Sequence, residues 1–292
     1  MNLRDKIQSA RERLVAAGIE NGEAGRDAAL LARHVLGYNR AEMYVHHEDE
    51  AGNDFNARYD PLIERRARRE PAAYIRGVQE FWNRDFIVNR SVLIPRPETE
   101  LIIEELLERL PRDVPELPRR IADIGTGSGC LAVTAAAELP FVEVIATDIS
   151  EAALNVAQQN AGQHGVSDRI AFRESAYLFG AEGKFDFILS NPPYVTESEY
   201  QGLAPEVREY EPATALVAGE DGFRDIQQIV DLATAYLKPG GALLIEIGWQ
   251  HADALVDLVA SFPVLRLAEI ANDLQNIPRV AIIERKITDG MK

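Results

Sequence analysis

A short apolar run, Arg119-Arg120-Ile121-Ala122-Asp123-Ile124, ends in Gly125-Thr126-Gly127-Ser128-Gly129, and a helix-like stretch follows from Cys130 to Glu138. Strand, glycine-rich turn and helix in that order form the nucleotide-binding corner of an open α/β sheet. Glycines there allow positive φ and let the backbone approach a ligand closely. The spacing is G-x-G-x-G, not the G-x-G-x-x-G of a dinucleotide pyrophosphate site. No Lys-Ser/Thr pair follows, so a P-loop is excluded as well. A second strand-like run, Val142 to Asp148, closes on a carboxylate 19 positions beyond Gly129. An acid at the end of a second strand typically takes a ribose hydroxyl pair.

A further apolar run, Phe185 to Ser190, is stopped by Asn191-Pro192-Pro193-Tyr194. Two prolines remove two backbone donors and fix two φ angles, so a central strand cannot continue. The stop leaves the Asn191 side chain and the carbonyls of Asn191 and Pro192 at the strand's carboxyl end. Such a pair of acceptors suits a planar –NH2 group, with an aromatic ring nearby to stack on it. The plain alternative is a proline-rich turn after a buried strand. In register with the glycine loop and Asp148, the tetrapeptide reads as a site.

Strand-like runs near 170–174, 242–247, 264–269 and 279–285, and helical ones near 151–164, 222–237 and 250–261, predict a doubly wound α/β sheet over residues 98–292. Helical spacing over 2–17, 24–36, 40–47 and 55–69 predicts a small bundle over residues 1–71. Alternation within 72–97 predicts a β-hairpin linker. Thr99 starts a helix to about Leu110, and the loop Pro111–Pro118 leads into the sheet.

With 292 residues and 46% hydrophobic content, two ordinary domains are expected and no run is long enough to span a bilayer. The amino terminus lacks the apolar core of a signal peptide, so a cytoplasmic location is expected; a monomer is expected as well. The single cysteine, Cys130, excludes an internal disulfide and reads as a small buried residue. No metal is expected: His46 and His47 are adjacent and do not share a helix face.

The net charge of −16 is uneven. Residues 1–95 carry 15 Lys/Arg and 15 Asp/Glu, against 16 and 32 in residues 96–292. So acidic a region repels phosphate backbones, which argues against nucleic acid as a direct partner. The basic run Arg65 to Arg69 reads as a solvated or capping cluster at a helix end, the alternative being a surface for an acidic protein.

These features together resemble S-adenosylmethionine-dependent methyltransferases acting on amide or amino nitrogens. Within that class the chain is similar to the bacterial release factor glutamine N5-methyltransferases. The likeness runs through residues 71–100, with Leu93-Ile94-Pro95-Arg96-Pro97-Glu98-Thr99-Glu100, then Tyr210 to Leu216, Gly240 to Glu246, and Arg279-Val280. It implies a Rossmann-like class I fold, S-adenosyl-L-methionine as donor with S-adenosyl-L-homocysteine as product, and a glutamine of the release factor Gly-Gly-Gln motif as acceptor. It also implies cofactor contacts from Gly125, Thr126, Gly127, Ser128 and Gly129, from Asp148 at the ribose, and from Asn191 near the methyl donor. At the third strand, Ser175 and Ala176 replace the usual acid and larger hydrophobe. The adenine contact is therefore either backbone at Ala176 or borrowed from Tyr177.

An amide nitrogen is a poor nucleophile, so holding it in line with an electrophilic methyl is the main task. Asn191 and the Pro192 carbonyl are expected to accept its two N–H bonds, Tyr194 to pack on the amide plane, and Pro193 to stiffen the loop. No general base is evident. Alternatives are a ribosomal-protein glutamine methyltransferase, an adenine-N6 nucleic-acid methyltransferase, and a non-catalytic adaptor. Glu246 reads as a buried structural carboxylate or a pocket wall. Arg96 and Glu98 either face the cofactor or form structural ion pairs.

Overall fold

The computed structural model describes residues 1–110 and 118–287. Its contacts divide the chain into two units: residues 1–78 with 204–210, and residues 79–203 with 211–292.

The first unit is helical: α1 (Leu3–Ala16), α2 (Asn21–Leu36), α3 (Arg40–Val45), α4 (Asn53–Ala67) and α5 (Ala72–Arg76). Local chemistry sets the ends. Asn2 caps α1 by accepting from the Asp5 N–H, and Asn39 with Glu42 forms a reciprocal capping box on α3. Leu14, Leu31, Phe55, Tyr59 and Ile63 form the core, and the Tyr59 hydroxyl donates to the Ala28 carbonyl at 2.9 Å. The basic run is not the solvated cluster the sequence suggests. Arg66 is 1% exposed and donates to Glu23, Asp27 and Glu206 at 2.7, 2.6 and 2.9 Å. Arg69 donates to Glu206 at 2.6 Å, and Arg65 pairs with Glu70. A buried guanidinium needs such partners, because an unpaired charge away from water is costly.

The second unit begins at Gln79, within the hairpin of β1 (Val78–Phe81) and β2 (Arg84–Ile87). Its turn residues Trp82 and Asn83 both have positive φ, 53° and 54°, the geometry that matches strand twist in a two-residue turn. The hairpin is shorter than residues 72–97, since α5 occupies its expected start. Then come α6 (Glu100–Arg109), β3 (Arg119–Ile124), α7 (Cys130–Glu138), β4 (Val142–Asp148), α8 (Glu151–Gln163), β5 (Ile170–Glu174) and β6 (Phe185–Ser190). After the short helix α9 (Glu197–Gly202), and α10 (Pro205–Tyr210), which belongs to the first unit, follow α11 (Arg224–Tyr236), β7 (Leu237–Glu246), α12 (Ala252–Ala260), β8 (Leu265–Asn272) and β9 (Pro278–Arg285). The loop expected at Pro111–Pro118 lies outside the described residues, save its last.

Among the described residues seven strands form one sheet in the order β5-β4-β3-β6-β7-β9-β8. β3 pairs parallel with β4 and β6, while β9 runs antiparallel to β7 and β8. Ile102, Ile103 and Leu106 of α6 and Leu131 and Ala135 of α7 cover one face. Ile226, Ile229 and Val230 of α11 and Leu255 and Val259 of α12 cover the other. Each fully buried Leu or Ile contributes roughly 1.5–3 kcal/mol. The strand order reverses beside β3, so a crevice opens at the carboxyl ends of β3, β4 and β6, where such sheets bind ligands.

Candidate functional site

A cavity of about 440 Å3 occupies that crevice, within the second unit. Such a volume suits a single small-molecule ligand. Its floor is the turn after β3. The Gly125 and Thr126 N–H groups both donate to the Thr147 carbonyl at 2.9 Å, which pins the turn to β4. Gly125 has φ +70°, and a Cβ there would meet nothing within 4 Å. The space over the turn is the cavity itself, so the backbone forms an open cradle. Gly129, with φ +81°, instead packs its α-carbon against Ala157.

Asp123 ties the floor from below. Its Oδ2 accepts from the Thr126 hydroxyl at 2.6 Å and the Ala132 N–H at 3.1 Å. Burial pushes its carboxyl up to about 7, against the pull of those two bonds. Its Oδ1 has no hydrogen-bond partner. Asp148, at the tip of β4, accepts from the Gly127 N–H through Oδ2 and the Ser150 N–H through Oδ1, both at 2.9 Å. Each carboxylate oxygen has two lone pairs, so capacity remains for ligand hydroxyls.

The far wall is Ser175, Ala176 and Tyr177. Tyr177 has φ +54°, and its hydroxyl donates to Asp225 Oδ1 at 2.6 Å. Desolvation and that acidic partner push the hydroxyl up to about 12. Arg224 donates to the other Asp225 oxygen at 2.9 Å. Cys130, at the head of α7, has its thiol pushed up to about 12 by burial, so it is no nucleophile near neutrality.

Asn191, Pro192 and Pro193 line the remaining side. The Asn191 Nδ2 donates to Thr99 Oγ1 at 3.0 Å, and Thr99 Oγ1 donates to Glu246 Oε2 at 2.7 Å. Tyr194 does not line the cavity. Its ring packs with the second apolar cluster, and its hydroxyl donates to Glu246 Oε1 at 3.2 Å. Burial raises the Glu246 carboxyl above the ordinary range, countered by Thr99, Tyr194 and Arg279. Arg96 pairs with Glu211 at 2.5 Å, and Glu211 also accepts from the Ile94 N–H at 3.0 Å. That clamp steadies Pro95 and Pro212 on the cavity rim.

One cavity thus brings together Gly125, Thr126, Gly127, Ser128, Asp148, Ala176, Asn191, Pro192 and Pro193, with Gly129 and Tyr194 behind the wall. Sequence reasoning missed Thr99, Asp225 and Glu211. Thr99 reads as a helix start and Asp225 as part of a first turn; their partners are too distant in sequence to signal a site. Among the described residues no group of His, Cys, Asp or Glu could hold a metal ion, and no helix is long and apolar enough to cross a membrane.

Residues 5–77 match the model of the PrmC N-terminal domain, and residues 99–206 that of the methyltransferase small domain. A release factor glutamine methyltransferase of Koribacter versatilis is 41% identical over 290 residues, covering 99% of this chain and 100% of that protein. One from Cereibacter sphaeroides is 41% identical over 268 residues, covering 92% and 93%. A crystal structure of a methyltransferase from Pyrococcus furiosus shares the fold, with TM-score 0.52 and 18% identity over 71% of this chain and 91% of that one. Near-full-length identity at this level sets the assignment: the chain belongs to the release factor glutamine methyltransferase family.

Proposed function

We propose that the protein transfers a methyl group from S-adenosyl-L-methionine to the side-chain amide nitrogen of a glutamine in the Gly-Gly-Gln motif of peptide chain release factors. It would act as a cytoplasmic monomer without direct contact to nucleic acid. The observation that carries this reading is the orientation of Asn191. With Nδ2 donating to Thr99, the carboxamide oxygen is turned away from Thr99, and Asn191 and Pro192 are neighbours in the cavity lining. Two acceptors next to each other on a cavity wall match the two hydrogens of a primary amide.

The donor's sulfonium supplies an electrophilic methyl. The backbone from Gly125 to Ser128 fits the donor's methionine part, since a Cβ on Gly125 would meet nothing within 4 Å. Asp148, with spare lone pairs, fits a ribose diol, and Ala176 with Tyr177 fits the base. Asn191 and Pro192 hold the amide nitrogen and offset the positive charge it gains in the transition state. Tyr194 acts from behind, through Glu246. The excess of acidic residues beyond residue 95 favours a protein acceptor over a phosphate-rich one.

The test is mass spectrometry of a purified release factor incubated with this protein and labelled S-adenosyl-L-methionine. A single added methyl on the Gly-Gly-Gln glutamine is the expected result. Label entering DNA, with none in the release factor, overturns the reading.

A further inference from the structure

Glu246 closes the apolar strand β7, 1% exposed, and the chemistry proposed above gives it no direct task. Yet its two oxygens are both engaged, one by Thr99 and one by Tyr194, and Thr99 in turn touches Asn191. The direction of these bonds is fixed by what each group can do. Each Glu246 oxygen accepts a hydroxyl bond, one from Thr99 and one from Tyr194, and a hydroxyl has a single proton. Thr99 therefore spends its proton on Glu246 and has only a lone pair left for Asn191. Asn191 must answer with its NH2, which turns its carbonyl oxygen the other way.

The two ends of a carboxamide have nearly the same shape, so packing alone cannot choose between them. Only a chain of donors and acceptors can. If the group at position 246 could donate, Thr99 could turn its proton toward Asn191 instead. The carboxamide would then settle with NH2 forward as readily as with oxygen forward. An NH2 facing a substrate NH2 sets donor against donor.

We propose that Glu246 and Thr99 are positioning residues that fix the polarity of the Asn191 carboxamide, presenting an acceptor to the substrate nitrogen. This rests on the reading in which Asn191 grips a glutamine amide.

The test compares wild type with Thr99→Val, Thr99→Ser and Glu246→Gln in full-length protein. kcat and KM are measured with a purified release factor, and S-adenosyl-L-methionine affinity by calorimetry. Thr99→Val and Glu246→Gln should lower kcat roughly 10- to 100-fold, as misorientation of a gripping group does, with donor affinity unchanged. Thr99→Ser, which keeps the hydroxyl, should recover most of the rate lost in Thr99→Val. Should Thr99→Val melt early, the isosteric Glu246→Gln carries the same comparison. Wild-type kcat in both variants, or a kcat loss matched by equal loss of donor affinity, overturns the proposal. If wild type itself methylates no glutamine, the underlying reading fails first, visibly before any variant is compared, and this proposal falls with it.

Discussion

Gly129 and Ala157 approach so closely that a Cβ on the glycine would lie 3.0 Å from the Ala157 Cβ and 3.1 Å from its Cα. Here α7 and α8 meet behind the cavity floor. Gly129→Ala should cost roughly 1–3 kcal/mol from the left-handed backbone alone, with the clash added, and a thermal melt would read it. Gly125→Ala faces open space and should destabilise less. Its methyl enters the cavity, so calorimetry should show weakened S-adenosyl-L-methionine binding. Equal melting temperatures for the two variants would contradict the packing described.

Asn191→Ala removes one of the two proposed acceptors. Turnover on a release factor should fall roughly 10²- to 10³-fold, the usual cost of losing one preorganised polar group at a reacting centre. Donor affinity should stay close to wild type. Unchanged turnover in a radiolabel assay would remove Asn191 from the chemistry.

Asp123 gives a pH signature. Its folded carboxyl titrates at about 7 against an ordinary 3.8, so between those values the folded state holds a proton that the unfolded chain has released. Stability from this group is therefore present below about 4 and is lost as pH rises toward 7. Asp123→Asn abolishes the titration, and its stability curve over that range should be flatter than wild type's. Parallel curves in urea titrations at several pH values would rule the assignment out.

Arg66→Ala strands Glu23, Asp27 and Glu206 without their shared guanidinium. Breaking a buried pair from one side costs roughly 3–5 kcal/mol, and urea denaturation should show a loss of that order. A loss as small as that of an exposed pair, below about 1 kcal/mol, would mean that water reaches the cluster.

Much of the second unit is legible in the residues because punctuation and periodicity agree there. The strands at 119–124, 142–148, 170–174 and 185–190 stand where the apolar runs put them, each ended by a glycine, an acid or a proline. β7 is longer than it reads, starting at Leu237. Pro239, Gly240 and Gly241 look like a turn, but the chain rejoins β6 across a register shift between Phe185 and Phe187. α9 and α10 escape notice because they are short and mostly polar. Arg66 escapes because a charged run reads as solvated unless its partners are known, and Glu206 lies 140 positions away. The cavity's glycines, acid and Asn-Pro-Pro were visible as types. The hydrogen bonds from Thr99 and Glu211, which depend on the folded chain, were not.

The helical unit is discontinuous, since residues 204–210 belong with residues 1–78. A fragment cut at residue 78 would lose Glu206, and with it an acceptor for both Arg66 and Arg69. The remainder would retain a short segment severed from its proper neighbours. No single scission yields two intact halves, so gene dissection at the obvious junction should give two poorly behaved products.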